Sequence, residues 1–205
     1  MNHMRPALVF VVLMTLLTGI AYPLGMTGLA GLLFPNQAQG SLITRDSKVI
    51  GSSLIGQNFT SEKYFHGRLS ATTATDPTDA TKTISSPYNA ANSAGSNLGP
   101  TSKALLDRVK TDAEKLHAEN NRPVPVDLVT SSASGLDPDI TPAAAQFQIP
   151  RIAKARNLTE MQVQELVEHL TEPRLFGLIG EPHVNVLKLN LALDELAARS
   201  SPQTP

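Results

Sequence analysis

The sequence predicts an α+β protein in two parts: one N-terminal transmembrane helix followed by a single small soluble domain that mixes strands and helices. Three observations lead to this prediction. A long uncharged apolar run comes near the N-terminus, short stretches with strand character follow it, and amphipathic helical segments fill the second half. Short strands kept apart from the helices are typical of the α+β class. At 205 residues, the chain has room for one domain and an anchor.

The apolar run extends from Ala7 to Phe34, and no charged residue lies between Arg5 and Arg45. As a helix rising about 1.5 Å per residue, it is longer than the roughly 30 Å hydrocarbon core of a bilayer. It also exceeds the apolar part of a cleavable signal peptide, so we expect a retained anchor. Pro23 is expected to kink this helix.

The charges that flank the anchor favour a cytoplasmic N-terminus. Arg5 lies on the short side, whereas Arg45 and Lys48 on the far side are partly offset by Asp46. We therefore expect four consecutive segments: a short cytoplasmic N-terminus (1–6), a transmembrane region (7–34), an exported α+β domain (36–200) and a disordered tail (201–205).

Small residues recur along the predicted anchor at spacings of three and four positions: Ala21, Gly25, Gly28 and Gly31. This spacing lets a neighbouring helix approach closely, so these residues form a candidate partner interface. The alternative is that glycine is simply common in membrane helices.

Local patterns predict strands and a loop in the soluble part. Apolar residues at 41–44 and 48–55 flank a short polar connection and predict a β-hairpin. Residues 124–130 predict a strand, which Pro125 places at a sheet edge. Residues 70–100 are rich in small and polar side chains and predict a loose loop.

Capping residues and apolar spacing predict the helices. Three helix starts carry cap signals: Thr101 or Ser102, Thr141 before Pro142, and Thr159 in a capping box with Gln162. Pro150 is expected to kink or divide the second of these helices. Asp139 is expected to help Thr141 cap it. Residues 184–193 fit a strand that runs into a final helix ending near Arg199.

Composition argues against several classes of function. A net charge of −1 gives no basic field for nucleic acid. The chain has no cysteine, and its five histidines lack the spacing of metal-ligand pairs, so we expect no metal site. No phosphate-binding loop of the G-x-x-x-x-G-K-[ST] type occurs. An interaction module is favoured, and the alternative is a membrane-anchored exported hydrolase whose triad assembles from distant residues.

Two segments carry unusual residue combinations. Residues 64–68 bring together two aromatic side chains, a histidine and an arginine, and form a second candidate partner interface through Tyr64, Phe65, His66 and Arg68. The alternative is a strand that packs both rings into the core and leaves Arg68 solvated. Residues 93–99 form a small-residue loop whose amides could cradle an anion, or else a flexible turn-rich loop.

Six segments, in order along most of the chain, resemble the C-subunit family of the bacterial Kdp potassium-transporting ATPases: 33–42, 54–59, 64–68, 124–130, 134–138, and 184–187 with 189–194. Two positions depart from the family pattern, Leu69 where proline is usual and Ala94 where glycine is frequent. The resemblance implies a non-catalytic accessory subunit of a high-affinity, ATP-driven potassium importer in the bacterial inner membrane. Its implied partners are a channel-like potassium-binding subunit, an ATP-hydrolysing pump subunit and a small membrane subunit.

The resemblance further implies assistance in assembly and a catalytic-chaperone role that raises the affinity of the pump subunit for ATP. The implied nucleotide contact is the loop with Ser93, Gly95, Ser96 and Asn97. An exported domain would be separated from cytoplasmic ATP by roughly 30 Å of hydrocarbon. We therefore expect any effect on ATP affinity to pass through partner subunits, with direct contact as the competing hypothesis.

Overall fold

The structure, a computed structural model, describes residues 3–200, with side chains up to Ala198. The predicted tail at 201–205 lies outside the described residues. The chain divides into two compact units, one ending at Ser52 and the other beginning at Ser53. One apolar N-terminal helix, together with further helices and small antiparallel sheets, confirms the predicted α+β class.

The first unit contains a single long apolar helix. It consists of α1 (Met4–Leu16), a π-helical turn (Leu17–Ala21) and α2 (Tyr22–Leu33). From Met4 to Leu33 it is long and apolar enough to cross a membrane, and it is exposed along its length.

The π-helical turn ends two residues before Pro23. Proline has no amide hydrogen to donate, and its ring crowds the carbonyl four residues earlier, at Gly19. That carbonyl lies within the π-helical turn. Pro23 is thus accompanied by a widened turn, a feature at which helices often kink, and the kink itself stays a prediction.

A short helix, α3 (Pro35–Ala38), leads into the predicted hairpin of β1 (Leu42–Arg45) and β2 (Lys48–Ser52). The strands pair antiparallel, which confirms the hairpin. Asp46 and Ser47 connect them with φ angles of 50° and 61°. Two consecutive positive φ values are characteristic of a type I′ turn, whose twist matches that of the strands.

The second unit is built around three helices and a small sheet. Strands β5 (Asp139–Ile140), β6 (Thr171–Glu172) and β7 (His183–Asn185) form an antiparallel sheet in the order β5-β7-β6. The helices are α5 (Pro142–Arg156), α6 (Glu160–Leu170) and α7 (Val186–Ser200). The largest fully buried apolar side chains come from all three helices, from β7 and from one loop residue: Phe65, Ile152, Val163, Val167, Val184, Leu189 and Leu193.

The predicted helix starts are confirmed. Ser102 caps α4 (Lys103–Asn120), Thr141 caps α5, and Thr159 forms the expected capping box with Gln162 at the start of α6. The strand that runs into the last helix is confirmed as β7 followed by α7. Helix α5 continues through Pro150 and is not divided there.

The predicted strand at 124–130 is wrong, because these residues form a loop with a 3₁₀ turn at Val126–Leu128. The reason is the buried carboxylate of Asp127, which accepts hydrogen bonds from the amide and hydroxyl of Thr141 at 2.8 and 3.1 Å. This loop is thereby tied to the start of α5. Asp139, expected to share that role, instead lies in β5 and accepts a hydrogen bond from Asn185 at 3.0 Å.

The segment 70–100 is more ordered than its composition predicts. It contains a short hairpin of β3 (Thr73–Thr75) and β4 (Thr83–Ser85). Thr72 is fully buried, and its hydroxyl donates to the carbonyl of Ser86 at 2.6 Å and accepts from the amide of Asn89 at 3.1 Å. Polar side chains thus hold this segment where few apolar ones are available.

Candidate functional site

The segment 64–68 is held in place by two buried amide side chains. The amide N–H of Phe65 donates to Asn190 Oδ1 at 2.8 Å, and Asn190 Nδ2 donates back to the Phe65 carbonyl at 3.0 Å. Gln148 makes the same pair of bonds with His66, at 2.8 and 3.1 Å. Each side-chain amide therefore forms hydrogen bonds with both the backbone N–H and the backbone carbonyl of one residue, as a neighbouring strand would.

This arrangement puts Phe65 in the core, where its side chain is 0% exposed. Of the four candidate interface residues in this segment, Phe65 has no surface to offer a partner in this fold. Asn190 and Gln148 are themselves 2% and 5% exposed, and the sequence reading missed both. The available signal was an amide inside an otherwise apolar helical stretch, such as Asn190 within Leu189–Leu193.

Tyr64 joins α5 to α7 through an aromatic and ionic cluster. Its hydroxyl donates to Asp194 at 3.2 Å, and the guanidinium of Arg156 lies 4.6 Å from its ring centroid. Arg156 also pairs with Asp194 at 2.8 Å. A stacked, paired guanidinium of this kind fixes the ring in one orientation.

Arg68 is paired rather than solvated. Its Nη1 lies 3.1 Å from Asp137 Oδ2, and its carbonyl accepts a 2.6 Å hydrogen bond from the hydroxyl of Tyr88. Burial raises the pKa of Tyr88 to about 12, so this hydroxyl stays a donor throughout the physiological range. Gly56 and Gly67 allow the close approach of the Tyr88 ring, because a Cβ on either would collide with it.

A pocket of about 400 Å³ lies between this segment, α4 and α5. Its lining includes acidic and basic side chains: Glu62, Asp112, Glu119, His66, Arg68, Lys115 and Arg151. The lining also includes Ser70, whose hydroxyl donates to the carbonyl of Gly135 at 2.7 Å and accepts from the amide of Tyr88 at 2.9 Å. Ser70 is thus engaged in structural hydrogen bonds.

His66 faces this pocket in a neutral state. Burial lowers the pKa of His66, and the nearby guanidinium of Arg151 lowers it further. Its Nε2 lies 3.1 Å from the carbonyl of Ser61, which can only accept, so Nε2 carries the proton in that contact. Arg151 is occupied by the carbonyls of Glu62 and Tyr64, at 2.6 and 3.1 Å.

The small-residue loop at 93–97 packs against the segment 131–135. Ser93 Oγ and the amide of Ala94 both donate to the carbonyl of Ser134, at 3.0 and 2.9 Å. A Cβ on Gly95 would lie 2.7 Å from the carbonyl oxygen of Ala133. Close packing within the chain therefore explains the glycine, while Ser96 is half-buried and Asn97 is exposed with φ 52°.

The candidate interface in the anchor is exposed. Ala21, Gly25, Gly28 and Gly31 all lie on the surface of the helix. Apart from the adjacent residues and the backbone of the helix itself, no atom of residues 3–200 lies within 4 Å of a Cβ built on any of the three glycines. This surface is open to close approach by another helix.

Comparison with known proteins gives a consistent result over nearly the whole chain. The family model for the K+-transporting ATPase, c chain (KdpC), matches residues 4–195. A protein from Bradyrhizobium diazoefficiens is 67% identical over 200 residues, which cover 97% of this chain and 100% of that protein. One from Methylobacterium nodulans is 68% identical over 200 residues, with the same coverage. A third, from Rhodopseudomonas palustris strain BisB18, is 67% identical over 195 residues, 95% of this chain and 98% of that protein. All three are called the KdpC subunit of a potassium-transporting ATPase.

Proposed function

The chain belongs to the KdpC family, the c chain of K+-transporting ATPases, and from this membership we propose that it is a non-catalytic accessory subunit of an ATP-driven potassium importer. In this role it anchors beside a channel-like potassium-binding subunit and stabilises the complex with the pump subunit and a small membrane subunit. The soluble domain acts outside the bacterial inner membrane, with the N-terminus in the cytoplasm.

The observation that carries this proposal is the open glycine surface of the anchor. Gly25 and Gly28 have free space around them on a fully exposed apolar helix. In lipid, helices associate through close backbone packing at small residues because apolar side chains gain little by leaving the lipid tails. The competing explanation is the general abundance of glycine in membrane helices, and the anchor variants below distinguish the two.

We further propose that this subunit raises the ATP affinity of the pump subunit indirectly. A domain outside the membrane is separated from cytoplasmic ATP by roughly 30 Å of hydrocarbon. Coupling through partner subunits typically changes an affinity by about 5- to 150-fold. The contacts of the 93–97 loop within its own domain are consistent with this indirect route.

The test compares the purified potassium pump with and without this chain. We expect the complex that lacks it to be less stable and to require a higher ATP concentration for half-maximal ATPase activity. The proposal is contradicted if the complex that lacks this chain stays intact and keeps the same ATPase activity and the same affinities for ATP and potassium.

A variant of the anchor tests the carrying observation. Gly25→Leu together with Gly28→Leu fills the open surface, and we expect the chain to be lost from the detergent-purified complex. Ala30→Leu is the matched control, because Ala30 lies in the same regular helix α2, about 140° around the axis from Gly25 and about 160° from Gly28 at about 100° per residue. Equal retention of the double glycine variant and the control would contradict the proposed helix contact.

A further inference from the structure

The connection between β6 and β7 carries a cluster of apolar side chains that point away from the core. We call Leu175, Phe176, Leu178 and Ile179 the apolar tip. Their side chains are 59%, 86%, 81% and 64% exposed. Four large apolar residues exposed together in five positions are unusual on a soluble surface and are typical of a contact site.

The apolar tip is an ordered structure. Leu175 and Ile179 exchange two backbone hydrogen bonds, of 2.8 and 3.0 Å, as residues of an antiparallel pair do. The amide of Gly177 donates to the carbonyl of Arg174 at 3.0 Å. At the base, the Arg174 guanidinium pairs with Glu181 at 2.6 Å.

The backbone of the apolar tip is also strained at Phe176. Phe176 has a φ of 52°, a conformation that bulky residues rarely adopt. Such strain persists where the surrounding structure imposes it, and it is concentrated at functional sites. The surroundings here are the turn hydrogen bonds and β7, whose Val184 is fully buried.

The charges beside the apolar tip favour a protein over a lipid surface. Arg174 is neutralised by Glu181, and Lys188 is neutralised by Glu172 at 3.0 Å. The hydrogen bond from Lys188 holds the pKa of Glu172 below its usual value, so this pair stays ionised and balanced. Attachment to an anionic membrane surface relies on an excess of lysine and arginine, which these two balanced pairs do not provide.

We propose that the apolar tip is a plug that docks into an uncharged apolar groove on another subunit of the same potassium-transporting ATPase. This inference rests on the proposed function only in taking the chain to be one subunit of a larger complex. Protein interfaces owe most of their affinity to a few residues that are fully buried near the centre, and aromatic residues are prominent among them. Phe176 and Leu178, the two most exposed members, are the central residues of the plug.

The test places a photoreactive phenylalanine analogue at Phe176 in the full-length chain, assembled in its native membrane complex. We expect illumination to cross-link this chain to another subunit of the potassium-transporting ATPase, which the mass of the product identifies. A lipid adduct, a product containing two copies of this chain, or no product would each overturn the proposal. Val126 and Met161 are matched controls, because they are also exposed apolar residues outside the apolar tip, at 72% and 70%.

A second substitution tests whether the contact is apolar. With the photoreactive group at 176, Leu178→Asp should reduce the cross-link yield at least about tenfold, because it would bury an unpaired charge. Leu178→Met keeps the apolar volume and should leave the yield unchanged. Equal yields from both variants would overturn the proposal. An unchanged unfolding temperature in each variant would show that the substitution at this exposed position has not altered the fold.

The outcomes separate this inference from the proposed function. If the ATP affinity of the complex depends on this chain but no cross-link forms from position 176, the accessory role is supported and the docking of the apolar tip is wrong. A specific cross-link in a complex whose affinities do not depend on this chain retains the plug and loses the accessory role.

Discussion

Asn190 shows how a single buried side chain can take the place of a strand. The oxygen and the nitrogen of its side-chain amide both form hydrogen bonds with the backbone of Phe65, the most buried residue of the 64–68 segment. Replacing Asn190 with leucine keeps its size but leaves one N–H and one carbonyl without partners inside the protein. An unsatisfied buried polar group costs about 1–3 kcal/mol.

We therefore expect Asn190→Leu to lower the free energy of unfolding by about 2–4 kcal/mol, measured by denaturant titration of the full chain in detergent. Gln164→Leu is the control, because Gln164 is exposed and its side chain donates a 2.8 Å hydrogen bond to Glu168 on the same helix. Similar losses in the two variants would show that the bonds to Phe65 contribute little.

His66 makes stability depend on pH in a predictable direction. Burial and Arg151 hold the pKa of His66 below its ordinary value of 6.5, so the unfolded chain binds this proton more readily. The contribution of His66 to stability is therefore complete above pH 6.5 and is lost as the pH falls below it. We expect His66→Gln to weaken this dependence, as measured by unfolding at a series of pH values. Parallel stability curves for the two proteins would contradict this.

Sequence reasoning identified the aromatic and charged residues of 64–68 but not what they contact. The alternative of a packed strand was correct about the burial of Phe65 and wrong about a solvated Arg68, which pairs with Asp137. Asp137 lies 69 positions away, and no local pattern reports such a partner. Likewise, the amide of Gln148 falls within α5, where a polar residue predicts an exposed position unless the fold is known.

At the scale of elements, local signals succeeded and long-range pairing did not. The caps at Ser102, Thr141 and Thr159 act within three or four residues, so the helix starts could be predicted. The strand predicted at 124–130 failed because Asp127 is used to hold α5, 14 residues away. The exposure of Phe176 in the apolar tip could not be predicted, since an apolar run in sequence usually indicates a core.

The 93–97 loop gives a prediction at this scale. Its contacts to Ser134 and Ala133 fix it to its own domain. We expect the double substitution Ser96→Ala and Asn97→Ala to leave the ATP dependence of the pump complex unchanged, as measured by ATPase activity over a range of ATP concentrations. A several-fold higher ATP requirement in the double variant would favour direct nucleotide contact.

The chain has no cysteine, so a single introduced cysteine can report the orientation of the whole molecule in the membrane. A single cysteine introduced as Ser96→Cys should react with a membrane-impermeant thiol reagent in intact cells, because the soluble domain is proposed to lie outside. His3→Cys, before the anchor, should react only after the cells are permeabilised. The reverse pattern would place the domain in the cytoplasm and would favour the competing hypothesis that the 93–97 loop contacts ATP directly.

The π-helical turn at Leu17–Ala21 sets the angular phase of the anchor. Such a turn accommodates one residue more than an α-helical turn, so every later side chain is rotated by about 100° relative to an uninterrupted helix. Gly25 and Gly28 therefore face the direction they do because of a turn that lies before them. Deleting one residue within Leu17–Ala21 would preserve the composition and spacing of the glycines while swinging their face around the helix axis. The packing of a membrane partner against this anchor therefore depends on the direction of the glycine face around the helix axis as well as on the spacing of the glycines.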